Sequence, residues 1–253
     1  MSTGSISNPH DKYIPEQLSN LELAKTFLRQ FLDQQLAAVL DFDKLSLLRD
    51  SYVDEELQEF QSDLIYLCET KSGTPVEVCI LLEHKSYVPA RPRIQLIQYL
   101  VNAWKSQIKE KDFDTGRDGL LRPVIPVLLY HGQKRWKDRS LEDYFHKIDG
   151  AEVGKYIPKF SYDLIDLNTY SAEEVAQMNL GMLELAVVAL KFSRDLEAFL
   201  AQFGRLAAVM EIHGNLETDD QRITAFFVYL YSTSKVSPED LFNLLQENMP
   251  ETL

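Results

Sequence analysis

The sequence predicts an α/β domain, a mixed central sheet flanked by helices, followed by a mostly helical region. Three observations lead there. Runs rich in β-branched and aromatic residues stand at 62–69 (SDLIYLCE), 76–84 (VEVCILLEH) and 122–130 (RPVIPVLLY), the composition of strands. A helical period over 94–111 separates the last two. After about residue 160 the strand signals stop while helix signals continue. With 253 residues, 45% of them apolar, the chain can bury a substantial core. The division falls at 1–150 for the α/β core and 151–253 for an acidic, mostly helical region.

Each element has a local reason. Residues 16–40 repeat Leu21, Ala24, Phe27, Leu28 and Phe31 at helical spacing, which predicts one or two amphipathic helices. KSGTP between the first two strands is a turn signal, so they form a hairpin. In the helix over 94–111, Ile94, Ile97, Val101, Trp104 and Ile108 make the apolar face. Strand, helix, strand in that order favours a parallel crossover onto the same sheet. Pro126 cannot donate to a ladder, which puts an edge or a bulge in the third strand. Further on, SAEE at Ser171 is a capping box and SPED at Ser237 sets proline at a first helical position. ALKFSRDLEAFLAQF and ITAFFVYLYSTS are helical in length and pattern. No internal repeat, low-complexity tract or glycine-rich phosphate loop is present.

The net charge of −13 argues against a nucleic-acid partner only as an average. The excess acid is concentrated after residue 150, whereas residues 85–139 hold 12 Lys+Arg and clearly fewer acids. Such asymmetry is compatible with a phosphate-binding surface on one side and equally with a solvated face. No apolar run approaches the roughly 20 residues of a membrane span. The start, MSTGSISNPHDKY, lacks a secretory signal, and Cys68 and Cys79 have no metal-ligand spacing. The expectation is a cytoplasmic protein with reduced core thiols, with no membrane partner and homo-oligomerisation left open.

One stretch asks for a chemical explanation. CILLEHKSY, residues 79–87, ends an apolar strand in a carboxylate, an imidazole and an amine. If Lys71–Pro75 form a five-residue loop, Thr70 faces Val76 and Asp63 faces Glu83. Directly opposed residues share a face with Cβ atoms about 5 Å apart. Lys85 points the same way and His84 the other. Two such carboxylates repel unless a cation lies between them, and Mg²⁺ takes oxygen ligands of this kind beside substrate phosphates. A lysine there can orient a water or neutralise charge on a phosphate. The same register opposes Glu69 to Glu77, a mildly unfavourable pair, and sets the two cysteines on opposite faces. An ion-pair cluster at a strand end is the structural alternative. On the next helix Gln95 and Tyr99 share a face, beside Gln98 and Asn102. Asp54, Glu55 and Glu56 read best as a solvated turn. Beyond Tyr130-His131-Gly132, KRWKDR sets Lys134, Arg135, Lys137 and Arg139 around Trp136, a mix suited to nucleic acid or to an ordinary surface loop.

An aspartate on one strand, Glu-x-Lys on the next and Gln-x-x-x-Tyr on the following helix resemble the PD-(D/E)XK nuclease superfamily. HDKY near residue 10, SYVDEELQEFQSDLIY, ILLEHKS and PVIPVLLYHG look like the recombination-promoting nuclease (Rpn) family, also described as YhgA-like transposases. The likeness runs from His10 to Trp136. It departs after HDKY, where IPEQLSN stands in place of a phenylalanine-lysine pair, and at Ser62, where the superfamily name has proline. The resemblance implies a restriction-endonuclease-like core and a Mg²⁺-dependent endonuclease acting on double-stranded DNA in recombination, mobile-element biology or defence. It makes Asp63 and Glu83 metal ligands and Lys85 the residue that positions the attacking water. Gln95 supports the site, and Tyr99 stands with the four loop cations as a DNA contact. The competing classes are an inactive DNA- or protein-binding module on the same fold and an interaction protein acting through the acidic region.

Overall fold

The computed structural model describes residues 9–48, 64–83, 91–109, 120–132, 134–149, 152–214, 216–234 and 236–248, without side chains at 9–12, 81–83 and 216–220. Two units emerge, Leu32–Asp166 and a second made of residues 1–31 with Leu167–Leu253. This differs from a break at 150, because the first helices group with the last ones and a strand beyond 160 joins the sheet.

The first unit is a five-stranded mixed sheet in the order β1-β2-β3-β4-β5. Its strands are β1 (Leu40–Leu48), β2 (Leu64–Thr70), β3 (Pro75–Glu83), β4 (Val124–Tyr130) and β5 (Asp163–Asp166). β1, β2 and β3 are antiparallel neighbours, whereas β3, β4 and β5 run parallel. Helix α4 (Pro92–Lys109) makes the crossover from β3 to β4, as the element order predicts. Pro126 is tolerated because β5 pairs with β4 only from Val127 onward, so β4 is locally an edge at the proline. A short helix α3 (Gln34–Val39), capped by Asp33 through the amides of Gln35 and Leu36, leads into β1.

The hairpin forms, with a register two residues from the expected one. Cys68 rather than Thr70 faces Val76, and Leu64 faces Ile80 where the opposition of Asp63 and Glu83 requires Leu82. The loop is Lys71–Thr74, and Pro75 already pairs with Glu69. Thr70 fixes it: its amide donates to the Thr74 carbonyl, its hydroxyl accepts from the Thr74 amide, and Gly73 takes φ +89°. Electrostatics favours the shift. Glu77 leaves Glu69 for Leu67, and the fully buried Glu77 carboxylate accepts from Arg122 Nε at 2.7 Å. Glu69 pairs with Lys44 across β1. Because the shift is even, the alternation of faces is kept, and Cys68 and Cys79 remain buried, outside any disulfide and on opposite faces.

Helix α4 meets the sheet with another face than the one its isoleucines mark. Pro92, Leu96, Tyr99, Leu100, Ala103 and Gln107 are buried, while Ile94, Val101 and Ile108 are 40%, 38% and 54% exposed. Leu96 and Tyr99 join Ile65, Cys79, Leu128, Tyr130 and Trp136 in one apolar cluster. The buried stripe is the one that can also place Gln107, which accepts from the Arg122 amide at 2.8 Å.

In the second unit α1 (Pro9–Leu18) and α2 (Leu21–Phe31) pack with α6 (Leu183–Phe192) and α8 (Leu216–Ser234). α2 buries Leu23, Ala24, Phe27, Leu28 and Phe31, the stripe its spacing predicts. Every residue of α6 from Leu183 to Leu190 is buried, and Glu184 among them pairs with Arg205 of α7 (Leu196–His213). The run ALKFSRDLEAFLAQF breaks at Asp195, whose carboxylate caps α7. The capping box at Ser171 starts α5 (Ala172–Gln177), and Ser237 with Pro238 starts α9 (Pro238–Glu247).

Candidate active site and nucleic-acid interface

Parallel strands point their C-terminal ends to one edge of a sheet, where α/β proteins place their ligands. Here β3, β4 and β5 end in one row: Glu83 pairs with Tyr130, and Tyr130 pairs with Asp166. Tyr130 and Asp166 are buried, and His131 follows at 5% exposure. Of the expected site residues, Glu83 is thus set by its backbone at the end of β3, with its side chain outside the described residues. Asp63 and Lys85 lie outside the described residues altogether, as do His84 and Asp54, Glu55 and Glu56. Gln95 sits in the first turns of α4, half-buried. Among the described residues no three of His, Cys, Asp and Glu gather as a metal cage.

Tyr99 does not offer itself to DNA. Its ring belongs to the apolar cluster over the sheet, because α4 docks through that stripe. Trp136 is likewise a core residue, 5% exposed, and its ring meets Tyr130 edge-on at 5.0 Å. The mixture of bases and an aromatic in KRWKDR therefore works as an anchor with charges around it, not as a stacking platform. Lys134, Arg135, Lys137 and Arg139 are all exposed, and no described salt bridge engages them.

Four residues that the sequence does not single out hold this loop. Arg93, at the start of α4, donates from Nη2 to Asp138 at 2.6 Å and from Nε to the Arg139 carbonyl at 2.6 Å. Its Nη1 reaches the Phe160 carbonyl at 3.2 Å, and its guanidinium lies 4.9 Å from the Tyr162 ring centre. The Tyr162 hydroxyl donates to Asp138 at 2.7 Å and accepts from Trp136 Nε1 at 3.1 Å. Asp166 accepts from the Trp136 amide at 2.9 Å. Burial and the bond to Asp138 push the Tyr162 hydroxyl well above its ordinary pKa, so it stays a donor. At Asp138 burial pulls the carboxyl up, yet the bonds from Arg93 and Tyr162 outweigh it and hold it below the usual value. Arg93 and Asp138 stand 45 residues apart, and only the fold brings them together.

A mixed five-stranded sheet flanked by helices, with a β3-α4-β4 crossover and a row of polar groups at the parallel ends, is compatible with a restriction-endonuclease-like core. Similarity to known proteins defines the class further. The chain belongs to the family described as "Putative transposase, YhgA-like", whose model matches residues 8–217. It is similar to recombination-promoting nuclease RpnD of Escherichia coli O157:H7, at 26% identity over 96% of this chain and 87% of that protein. Recombination-promoting nuclease RpnA of Escherichia coli K12 is 25% identical over 99% of this chain and 82% of its own length. Inactive recombination-promoting nuclease-like protein RpnE of the same strain is 24% identical over 94% of this chain and 75% of its own length. No solved structure matches the chain. Among the described residues no helix is long and apolar enough to cross a membrane.

Proposed function

We propose that the chain is a divalent-metal-dependent endonuclease that hydrolyses phosphodiester bonds in double-stranded DNA, in recombination or mobile-element processing. The observation that carries this reading is the position of Glu83, closing β3 in one row with Tyr130 and Asp166 where β4 runs into a loop of four exposed cations. The nuclease names of the relatives support it. The donor set, Asp63 and Glu83, is two carboxylates, the hard oxygen ligands that Mg²⁺ takes beside phosphate and water. Such an ion, when bound, lowers the pKa of a water and polarises the scissile phosphate. Lys85 orients that water and offsets charge growing on the phosphate, Gln95 supports the site from α4, and the loop cations hold the strand backbone.

Incubation of supercoiled plasmid with the purified protein tests the reading. Cleavage is expected with Mg²⁺ and absent with chelator. Glu83→Gln keeps size and hydrogen bonding but removes charge, and is expected to lower cleavage about 100-fold or more. Lys85→Ala is expected to lower turnover while sparing metal affinity. Equal activity of Glu83→Gln and the parent rejects the active-site assignment. The second reading, an idle DNA-binding module, is favoured by a similarity of nearly the same degree to a relative named inactive. It predicts DNA binding without any metal-dependent cleavage.

A further inference from the structure

Residues 134–139 carry their four cations on a backbone pinned along its length. At the start, the Tyr130 hydroxyl donates to the Lys134 carbonyl at 2.7 Å. In the middle, Trp136 is buried and held twice, by Asp166 on its amide and Tyr162 on its indole. At the end, Arg93 binds the Arg139 carbonyl and grips Asp138. A loop that serves only by being positive needs none of these fixtures. It would also be better without an acid among its bases, since Asp138 cancels one charge of the cluster.

We propose that this network presets residues 134–139 as a rigid cradle for a nucleic-acid phosphodiester backbone, with Arg93 and Asp138 as its positioning residues. Arg93 and Gln95 lie two residues apart on α4, so the same helix start fixes the cradle and the support of the cleavage site. A cradle already ordered loses less conformational entropy on binding than a mobile loop does. The inference rests on the loop being a DNA contact and adds how that contact is shaped.

The test uses the full chain and a fluorescein-labelled duplex, with binding followed by anisotropy over a series of salt concentrations. Asp138→Ala separates the alternatives by sign. It makes the loop more positive, so a loop acting through charge alone binds DNA more tightly. The preset cradle instead binds several-fold more weakly, with a salt slope no steeper than the parent's. Arg93→Lys keeps its charge but loses the fork, and is expected to weaken binding likewise and to raise KM more than it lowers kcat. Tyr162→Phe removes only the hydroxyl that links Trp136 to Asp138. It is expected to move affinity in the same direction by less, and it decides the matter if circular dichroism shows Asp138→Ala unfolded. Tighter or equal binding by folded Asp138→Ala, or unchanged binding by Tyr162→Phe in that event, overturns the proposal. Lys134→Ala with Lys137→Ala tests the underlying DNA contact on its own: the slope should fall by about 2. An unchanged slope there refutes the contact, whereas a reduced slope with no loss in Asp138→Ala refutes the positioning alone.

Discussion

Glu77 and Arg122 show what one residue can decide. A carboxylate with no exposed surface is costly to leave unmatched, and Arg122 meets it at 2.7 Å with a side chain only 23% exposed. Arg122→Leu removes that partner and is expected to cost about 2 kcal/mol or more in urea unfolding. A double-mutant cycle with Glu77→Gln should show coupling of about 1–3 kcal/mol, and additive losses would refute the pairing. Asp138 supplies a pH signature at the same scale. Its carboxyl is held below the ordinary value in the folded chain. Its stabilisation is therefore complete above the unfolded value of about 3.9 and disappears as pH falls through the lower, folded one. The stability gap between the parent and Asp138→Asn should be constant from neutral pH to about 5 and close below about 4. A gap that persists into acid would mean that Asp138 contributes by shape and not by charge.

At the scale of elements, the hairpin shows which local signals were sufficient. KSGTP marks a turn, and the turn is there, but the strand register it sets was legible only to within two residues. A five-residue loop takes in Pro75, although a proline can open a strand where its missing N–H is not needed, and Pro75 here pairs with Glu69. Gly73 is the residue that the four-residue loop depends on, since φ +89° is open to glycine and strained for others. Open space surrounds it, so Gly73→Ala tests the backbone alone. It is expected to cost about 1 kcal/mol, and a neutral result would show that the turn tolerates another conformation. Helix α4 was legible as a helix and not as a docked one. It carries two apolar stripes, and periodicity cannot say which of them meets the sheet; the stripe with Tyr99 and Gln107 wins because it also satisfies the Arg122 backbone. β1 gives little sequence signal because a register irregularity between Asp41 and Ser46 breaks its alternation, and β5 because four residues carry almost no period. The Arg93, Asp138 and Tyr162 network had no local signal at all, its members being joined only by folding.

Over the whole molecule, α1 and α2 join the last helices in a unit that does not follow chain order. Composition separates an acidic second half, but no composition reveals that α1 and α2 complete it. Their packing has consequences that can be measured. The Tyr13 ring stacks on Tyr229 at 4.3 Å, and Ile14, Leu18, Phe27 and Leu28 are all buried to 2% exposure or less. Removing residues 1–31 therefore uncovers apolar surface on α6 and α8, each buried aliphatic or aromatic side chain being worth about 1.5–3 kcal/mol. A unit of helices held by tertiary packing cannot absorb such a loss, since most helical stability in a protein comes from the packing of an apolar face. The deleted segments contribute 10 and 11 helical residues. The far-UV helical signal of the truncated chain is expected to fall by clearly more than those residues account for, as α6 to α9 loosen with them. A fall limited to the residues removed would show that the C-terminal helices form a core without α1 and α2, and that the unit is divided where the composition changes.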